Sequence, residues 1–282
     1  MSGLAAPHWF LLVAAVTGLL VGSFLNVLIF RLPVMMERAW AQDCAALSDL
    51  PKPHHPAFNL LVPRSRCGHC GHPLRWVENI PILSFMTLRG RCAACRAAIS
   101  WRYPAVEAVT ALLFAYCAAR WGMSPEATTW AAFSSILLSC ALIDWDTTYL
   151  PDDLTLGLLW LGLVSASLGY SGVRLDDALW GAVVGYGALW SIFWIFKLLT
   201  GKEGMGYGDF KLFAALGAWF GWTGLVPVIL LASCSGAVIG LVMQWRGSLR
   251  EGGVLPFGPF LALGGFAVMG VDPGQPFPLL GL

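Results

Sequence analysis

The chain has 282 residues, of which 57% are hydrophobic and only 12% are charged, and its formal net charge is +1. A soluble domain carries about 25% charged residues, so the composition excludes an ordinary soluble domain and predicts a polytopic membrane protein. The near-neutral charge gives no basic footprint, so no nucleic-acid partner is expected. The 32 glycines and 14 tryptophans suit closely packed helices in contact with membrane lipid.

Apolar segments of about 20 residues, the length that spans a membrane, recur along the chain. The segment 1–30 holds no Lys, Arg, Asp or Glu and lacks the basic region of a signal peptide, so we interpret it as a retained span. We predict an all-α fold with about eight transmembrane helices. The candidate spans are 9–30, 104–120, 127–144, 154–170, 178–199, 212–222, 224–245 and 255–271. The predicted organisation is a first helix (1–30), a polar loop (31–103) and a helical bundle (104–282).

The polar loop contains two Cys-x2-Cys pairs, one formed by Cys67 and Cys70 and the other by Cys92 and Cys95. This spacing predicts a four-thiolate Zn²⁺ site, because two such pairs can supply a tetrahedron of ligands. Four cysteines leave no open coordination position, so we expect the metal to be structural. Two disulfides or free thiols are the alternatives, and a reducing cytoplasm disfavours disulfides.

Two histidines, His69 and His72, lie beside the first cysteine pair and are alternative ligands. The remaining cysteines, Cys44, Cys117, Cys140 and Cys234, form no such pattern, and the last three lie in predicted spans. We interpret them as small buried apolar residues.

A carboxylate, Asp144, ends the predicted span 127–144. Ionisable groups at membrane depth are expensive and are candidates for function. An interface or capping role is the simpler interpretation, and Asp146 is a fallback candidate. The segment Leu150-Pro151-Asp152-Asp153 is interpreted as the start of the next span, where an aspartate is a natural N-cap.

A second carboxylate, Asp209, lies in the glycine-rich break Gly206-Tyr207-Gly208-Asp209-Phe210-Lys211. Irregular backbone at membrane depth is tolerated only where it is buried in protein or lines a cavity. Asp144 and Asp209 therefore form a candidate acid–base dyad. Lys211 either stabilises an ionised partner or anchors its helix at the interface. Glu107 is a further acid within a predicted span, with no partner evident from the sequence.

The distribution of basic residues predicts the orientation. The loop 31–103 has ten Lys and Arg against four acids, and a cytoplasmic loop places 15 of the 17 basic residues inside. The count includes Arg250. The amino terminus is then periplasmic, and Asp144 and Asp209 both reach the cytoplasmic face.

Other chemistries find little support in the sequence. None of the histidines begins an H-E-x-x-H motif, which argues against a metalloprotease, and no G-x-S-x-G occurs. The glycines at 204–208 have the wrong spacing for a dinucleotide loop and follow an apolar helix instead of a strand.

Several motifs, in matching order from about residue 18 to 260, carry a family resemblance. They are Gly22-Ser23-Phe24-Leu25-Asn26-Val27, Arg31-Leu32-Pro33, the two cysteine pairs, Glu78-Asn79-Ile80-Pro81, Tyr103-Pro104, Ile143-Asp144, Leu150-Pro151-Asp152 and the stretch from Gly201 to Lys211. The chain resembles the bacterial type IV prepilin peptidases, which belong to the G-x-G-D group of intramembrane aspartic proteases.

The resemblance implies an endopeptidase of the bacterial inner membrane. It would remove the short basic leader of type IV prepilins and type II secretion pseudopilins at the cytoplasmic face. It also implies methylation of the new amino terminus with S-adenosylmethionine as the methyl donor. By the same resemblance, Asp144 and Asp209 are the catalytic aspartates, and the four cysteines bind zinc.

Two other functions fit parts of the pattern. A cation- or proton-coupled transporter would use the Asp pair and broken helices, but it gives no role to the four-cysteine loop. A third interpretation makes the chain chiefly a methyltransferase whose loop binds the donor. The sequence alone identifies no residue for donor binding.

Overall fold

The computed structural model describes residues 7–48, 51, 56–247 and 255–271, and within these residues the fold is helical with no strand. The position of Arg250, used in the orientation argument, lies outside the described residues. The helices are α1 (His8–Leu47), α2 (Leu83–Thr87), α3 (Arg102–Trp121), α4 (Pro125–Thr147), α5 (Asp152–Ser167), α6 (Leu175–Thr200), α7 (Tyr207–Trp245) and α8 (Gly258–Met269), with a 3-10 turn at Trp76–Asn79. The prediction of an all-α fold is confirmed.

Four helices of the described part are long and apolar enough to cross a membrane: α1, α4, α6 and α7. The chain is therefore a multi-pass membrane protein, but the predicted count of about eight spans is a little high. Helix α5 has 16 residues and α8 has 12, whereas a straight span requires about 20. The predicted spans 212–222 and 224–245 lie in one element, α7, which is kinked at Gly221 (φ 71°, ψ 174°).

The chain divides into two compact units, Met1–Ala127 and Thr128–Leu282. In the first unit, α1 packs against α3 through Gly18 and Gly22, where a Cβ atom would lie 2.7 Å from the α3 backbone. Small residues spaced by four allow two membrane helices to approach this closely. Helix α1 continues beyond residue 30 to Leu47, so part of the predicted loop is helical.

Within the same unit the polar segment folds back onto α1 at a buried arginine. Arg31 donates from Nη1 to the Asn59 carbonyl at 2.8 Å and from Nη2 to the Pro63 carbonyl at 2.6 Å. Its guanidinium also lies 5.6 Å from the centre of the Phe58 ring. A buried charge is tolerated where its donors are satisfied, so Arg31 fastens residues 58–63 to the helix.

The second unit is organised around α7. Trp130 and Phe133 of α4 pack against Trp219 of α7, and all three side chains are buried. The Trp219 indole donates to the Leu158 carbonyl of α5 at 2.9 Å, so its polar atom is satisfied inside the core. Helices α6 and α7 approach at Gly181 and Gly217, where a side chain on either glycine would strike the other's carbonyl. This packing joins α7 to α4, α5 and α6, and the ends of α4 and α7 carry the candidate site.

Candidate active site and metal centre

Asp144 lies in the last turn of α4, and its side chain is only 4% exposed. Its Oδ2 accepts a hydrogen bond of 2.9 Å from the backbone N–H of Gly258, the first residue of α8. The amino end of a helix favours a negative charge through its free N–H groups and its dipole. A Cβ atom on Gly258 would lie 2.6 Å from the same oxygen, so the contact requires glycine.

Asp209 lies in the first turn of α7 and is 7% exposed. Gly206 is the residue before the helix, and Gly208 packs where a Cβ atom would lie 2.6 Å from the Leu150 Cβ. The adjacent Phe210 is fully buried and contacts the Phe193 ring of α6, with ring centres 5.6 Å apart. Close packing on both sides therefore fixes the start of α7 and the direction of its carboxylate.

The structure brings these two carboxylates, which are distant in sequence, into electrostatic range of one another. Both are buried, and removing a carboxylate charge from water costs several kcal/mol. Such pairs are concentrated at functional sites, because in folding alone they are a liability. Catalysis by Asp144 and Asp209 nevertheless stays a prediction that rests on this geometry.

The neighbouring aspartates, which are the alternatives to Asp144 as a catalytic residue, are more exposed to solvent than Asp144 is. Asp146 is exposed, and so is Asp153. Asp152 is the first residue of α5, as the sequence suggested, but its predicted capping role is wrong. The N-cap residue is Pro151, and no side chain caps the helix. Asp152 instead binds the Lys211 ammonium through Oδ1 at 2.6 Å and Oδ2 at 2.7 Å, so Lys211 is an ion-pair partner of α5.

Glu107, the intramembrane acid without an evident partner, is a buried hydrogen-bond acceptor in the first unit. Its Oε2 accepts a 2.8 Å bond from the backbone N–H of Ile82, and the Ser23 hydroxyl also bonds to the carboxyl group. Ile82 has a left-handed backbone (φ 57°), an unfavourable conformation for a β-branched residue. The carboxyl group therefore holds a strained turn of the polar segment against α1 and α3.

The four predicted cysteine ligands form a cluster whose sulfur atoms all lie within 4.8 Å of one another. The Cys67 and Cys95 sulfurs are 3.8 Å apart, and those of Cys70 and Cys92 are 4.0 Å apart. A tetrahedral zinc site with Zn–S bonds of about 2.3 Å requires sulfur separations of about 3.8 Å. The cluster therefore fits a metal ion held by four thiolates.

The two cysteine pairs are built as matching turns. Each is closed by a backbone bond, from Cys67 N–H to the His72 carbonyl and from Cys92 N–H to the Ala97 carbonyl. Backbone N–H groups of Cys70 and then His69 lower the pKa of the Cys67 thiol to about 6, and those of Cys95 and then Ala94 lower the pKa of Cys92. Against the lowering effect of the Ala97 N–H, the neighbouring Cys70 side chain raises the pKa of Cys95 to about 11, so the Cys67 and Cys92 thiols ionise more readily than that of Cys95. A lowered pKa favours the thiolate, which is the form that binds metal.

The histidines beside the first pair are separate from this cluster, which consists of the four cysteines within the described residues. His72 Nε2 lies 3.3 Å from Glu78 Oε2. The same Glu78 oxygen accepts a 3.0 Å bond from the Arg75 N–H and so closes the 3-10 turn. His72 thus supports the turn that follows the first cysteine pair.

The residue of the site that sequence reasoning missed is Gly258. It lies far from Asp144 along the chain, and its contribution is a backbone N–H, which leaves no trace in a pattern of side chains. The one available signal was Phe257-Gly258-Pro259, since proline is common in the first turn of a helix.

Two family models match consecutive parts of the chain. Residues 16–121 match the model of the bacterial peptidase A24 N-terminal domain, and residues 131–241 match that of the type IV leader peptidase family. No solved structure is significantly similar to the chain.

Several relatives carry the name prepilin leader peptidase/N-methyltransferase. The one from Stutzerimonas stutzeri is 53% identical over 264 residues, which cover 93% of this chain and 91% of the relative. The one from Pseudomonas aeruginosa is 50% identical with the same coverages. The one from Burkholderia pseudomallei is 50% identical over 270 residues, covering 95% of this chain and 86% of the relative. The chain therefore belongs to the type IV leader peptidase family.

Proposed function

We propose that the chain is a membrane aspartic endopeptidase that removes the basic leader from type IV prepilins and type II secretion pseudopilins. The observation that carries the proposal is the pair of buried carboxylates, Asp144 and Asp209, held at the ends of two membrane helices. The relatives' names describe the same reaction, and neither the family models nor the relatives support a transporter.

The proposed mechanism follows from two carboxyl groups that share one proton. The ionised carboxylate removes a proton from water, and the resulting nucleophile attacks the scissile carbonyl. The protonated partner gives its proton to the carbonyl oxygen as the tetrahedral intermediate forms. The carboxyl group that took the water proton then passes it to the leaving amine, and the partner recovers its proton from the intermediate as the C–N bond breaks. The Gly258 N–H bonded to Asp144 Oδ2 keeps that oxygen in a fixed position during the transfers.

The location of the dyad suits a substrate with two different parts. A basic leader remains in the cytoplasm, while the apolar helix behind it stays in the bilayer and contacts membrane lipid. The excess of basic residues in 31–103 supports a cytoplasmic loop, a periplasmic amino terminus and insertion in the inner membrane. A tag at residue 203 should then report the cytoplasmic side and one at residue 173 the periplasmic side.

The four cysteines would hold one structural Zn²⁺. The sulfur separations match tetrahedral coordination, and four protein ligands leave no position for a substrate. Zinc would supply folding free energy to a polar segment that has little hydrophobic core of its own.

Methylation of the new amino terminus is the second proposed activity. The relatives' names include an N-methyltransferase, and S-adenosylmethionine is the proposed methyl donor. The donor is a substrate of this second reaction, so cleavage should proceed in its absence. An enzyme that is chiefly a methyltransferase would instead act only on pilin that is already cleaved.

The test is leader release from a purified prepilin in detergent or nanodiscs, with and without S-adenosylmethionine. Asp144→Asn and Asp209→Asn keep the side-chain shape but cannot exchange the proton, so each should abolish cleavage. The double variant should lose little more, because the pair acts as a unit. Asp153→Asn is the matched control, since that exposed aspartate should be dispensable. Full cleavage by either dyad variant would refute the assignment.

A further inference from the structure

The short connector between α4 and α5 lies between the two parts of the candidate site. It starts one turn after Asp144, where the Thr148 N–H donates to the Asp144 carbonyl at 2.8 Å. Thr148 adopts a left-handed backbone (φ 56°), which turns the chain sharply after α4. The connector then runs through Leu150, which is buried, to Asp152 at the start of α5.

The first turn of α7 is attached to this connector at two points. Gly208 packs directly on Leu150, at a distance that leaves no space for a side chain. One turn further, the Lys211 ammonium bonds both oxygens of Asp152, at 2.6 and 2.7 Å. The two contacts lie on either side of Asp209 in sequence, so they hold the turn that carries this carboxylate.

Lys211 does not act on Asp209 directly. Two residues apart on an α-helix, at about 100° per residue, their side chains diverge by roughly 200°. The Lys211 ammonium is engaged by Asp152, whose side chain is 51% exposed, whereas Asp209 is 7% exposed and points into the core. Lys211 is therefore placed to control the position of its helix. For a role in proton transfer, its side chain would have to point toward Asp209.

We propose that Lys211 is a positioning residue for the cleavage reaction, acting through Asp152. The ion pair ties the first turn of α7 to the connector that follows Asp144, and this attachment sets the spacing of the Asp144 and Asp209 carboxylates. The proposal rests on the proposed function, because it concerns the same dyad. It also explains why the Leu150-Pro151-Asp152 and Gly206-to-Lys211 motifs occur together, since their last residues form the ion pair.

The test compares Lys211→Met and Asp152→Asn with two matched controls, Lys202→Met and Asp153→Asn, which change exposed charges in the same part of the chain. Displacing a reacting group by about 1 Å costs roughly 100-fold in rate, and a loosened turn should cost about tenfold. We expect kcat for leader release to fall about tenfold in each test variant, with KM changed less than about twofold. The controls should match the wild type.

Two further variants separate positioning from folding. Lys211→Arg keeps the bidentate pair and should retain most of the activity. The double variant Lys211→Met/Asp152→Asn should lose no more than either single variant, since each removes the same attachment. Because the pair is partly exposed, melting temperatures in detergent should shift by only a few degrees.

The outcomes are distinct. Wild-type kcat in Lys211→Met, additive losses in the double variant, or a loss confined to KM would overturn the positioning role. A loss of kcat that tracks a large fall in melting temperature, including in Lys211→Arg, would show a structural role instead. If Asp209→Asn cleaves normally, the proposed function itself fails, whereas loss in Asp209→Asn with full activity in Lys211→Met rejects only this inference.

Discussion

The contact between Gly258 and Asp144 gives a prediction whose size follows from the structure. In Gly258→Ala the new methyl group would lie 2.6 Å from Asp144 Oδ2, whereas real Cβ atoms essentially never come closer than 3.0 Å. The carboxylate cannot simply rotate away, because its Cγ would be 3.1 Å and its Cβ 3.3 Å from the same atom. An ordinary contact distance can therefore be restored only if Asp144 moves away from α8 or the start of α8 moves away from Asp144.

A displacement of this kind should have a larger effect on kcat than on the stability of the fold. Misplacement by about 1 Å costs roughly 100-fold in rate, so we expect the smaller shift to lower kcat about tenfold. Overpacking should lower the free energy of unfolding by about 1–3 kcal/mol. The assay is the initial rate of leader release, with thermal unfolding of the same preparation recorded in parallel.

Gly187→Ala is the control for this variant. Gly187 lies inside α6, in the same unit, and a Cβ atom there meets no atom within 4 Å. Alanine in a helix interior is favoured over glycine by about 0.5–1 kcal/mol, so this variant should be fully active and slightly more stable. Wild-type kcat in Gly258→Ala would refute the idea that the α8 N–H fixes the Asp144 carboxylate.

Three further predictions concern the first unit. Cys67→Ser should reduce bound zinc from about one ion per chain to near zero, measured by plasma mass spectrometry, and an active wild-type protein without zinc would contradict the metal site. Glu107→Ala should destabilise the protein by about 1–3 kcal/mol, because the Ile82 N–H loses its acceptor. Glu107→Gln keeps an acceptor oxygen and should destabilise the protein less. Equal melting temperatures for the wild type and Glu107→Ala would exclude this role. The Arg75 N–H, and after it His72, lower the pKa of Glu78 in the folded protein below its ordinary value of 4.5. The stability that the ionised Glu78 contributes is therefore complete above pH 4.5, and it is lost as the pH falls through the pKa of the folded state. The difference in melting temperature between the wild type and Glu78→Gln should therefore shrink as the pH falls below 4.5. A difference that grows would mean that folding raises the pKa of Glu78 instead of lowering it.

The sequence predicted the parts of the molecule that leave a local or periodic signal. The apolar composition predicted membrane helices, and the two cysteine pairs predicted a cluster whose sulfurs do approach to 3.8 and 4.0 Å. The convergence of Asp144 and Asp209 was inferred from topology, since basic residues placed both at one membrane face. The structure brings the two carboxylates within electrostatic range.

The remaining features depend on contacts between distant residues or on backbone groups. Lys211 and Asp152 are far apart in sequence, and either residue alone fits the simpler roles of interface anchor and helix cap. Hydropathy cannot distinguish a kink from a loop, so the bend at Gly221 was interpreted as a break between two spans. The extension of α1 to Leu47 was missed because its last turns are polar, although residues such as Arg38 and Glu37 favour helices as well as loops.

The energetics of the dyad distinguish a catalytic site from a structural one. Asp144 and Asp209 lie in a core that would be more stable with neutral side chains, because burying a carboxylate charge costs several kcal/mol, and a hydrogen bond such as that from the Gly258 N–H to Asp144 Oδ2 offsets only part of this cost. Where function places a buried charge, neutral variants commonly gain stability as they lose activity. Asp209→Asn should therefore melt at a higher temperature than the wild type while releasing no leader. A buried salt bridge or a helix cap would behave in the opposite way, since its removal lowers the melting temperature. The combination of higher stability with lost cleavage is thus the outcome that only a catalytic carboxylate explains.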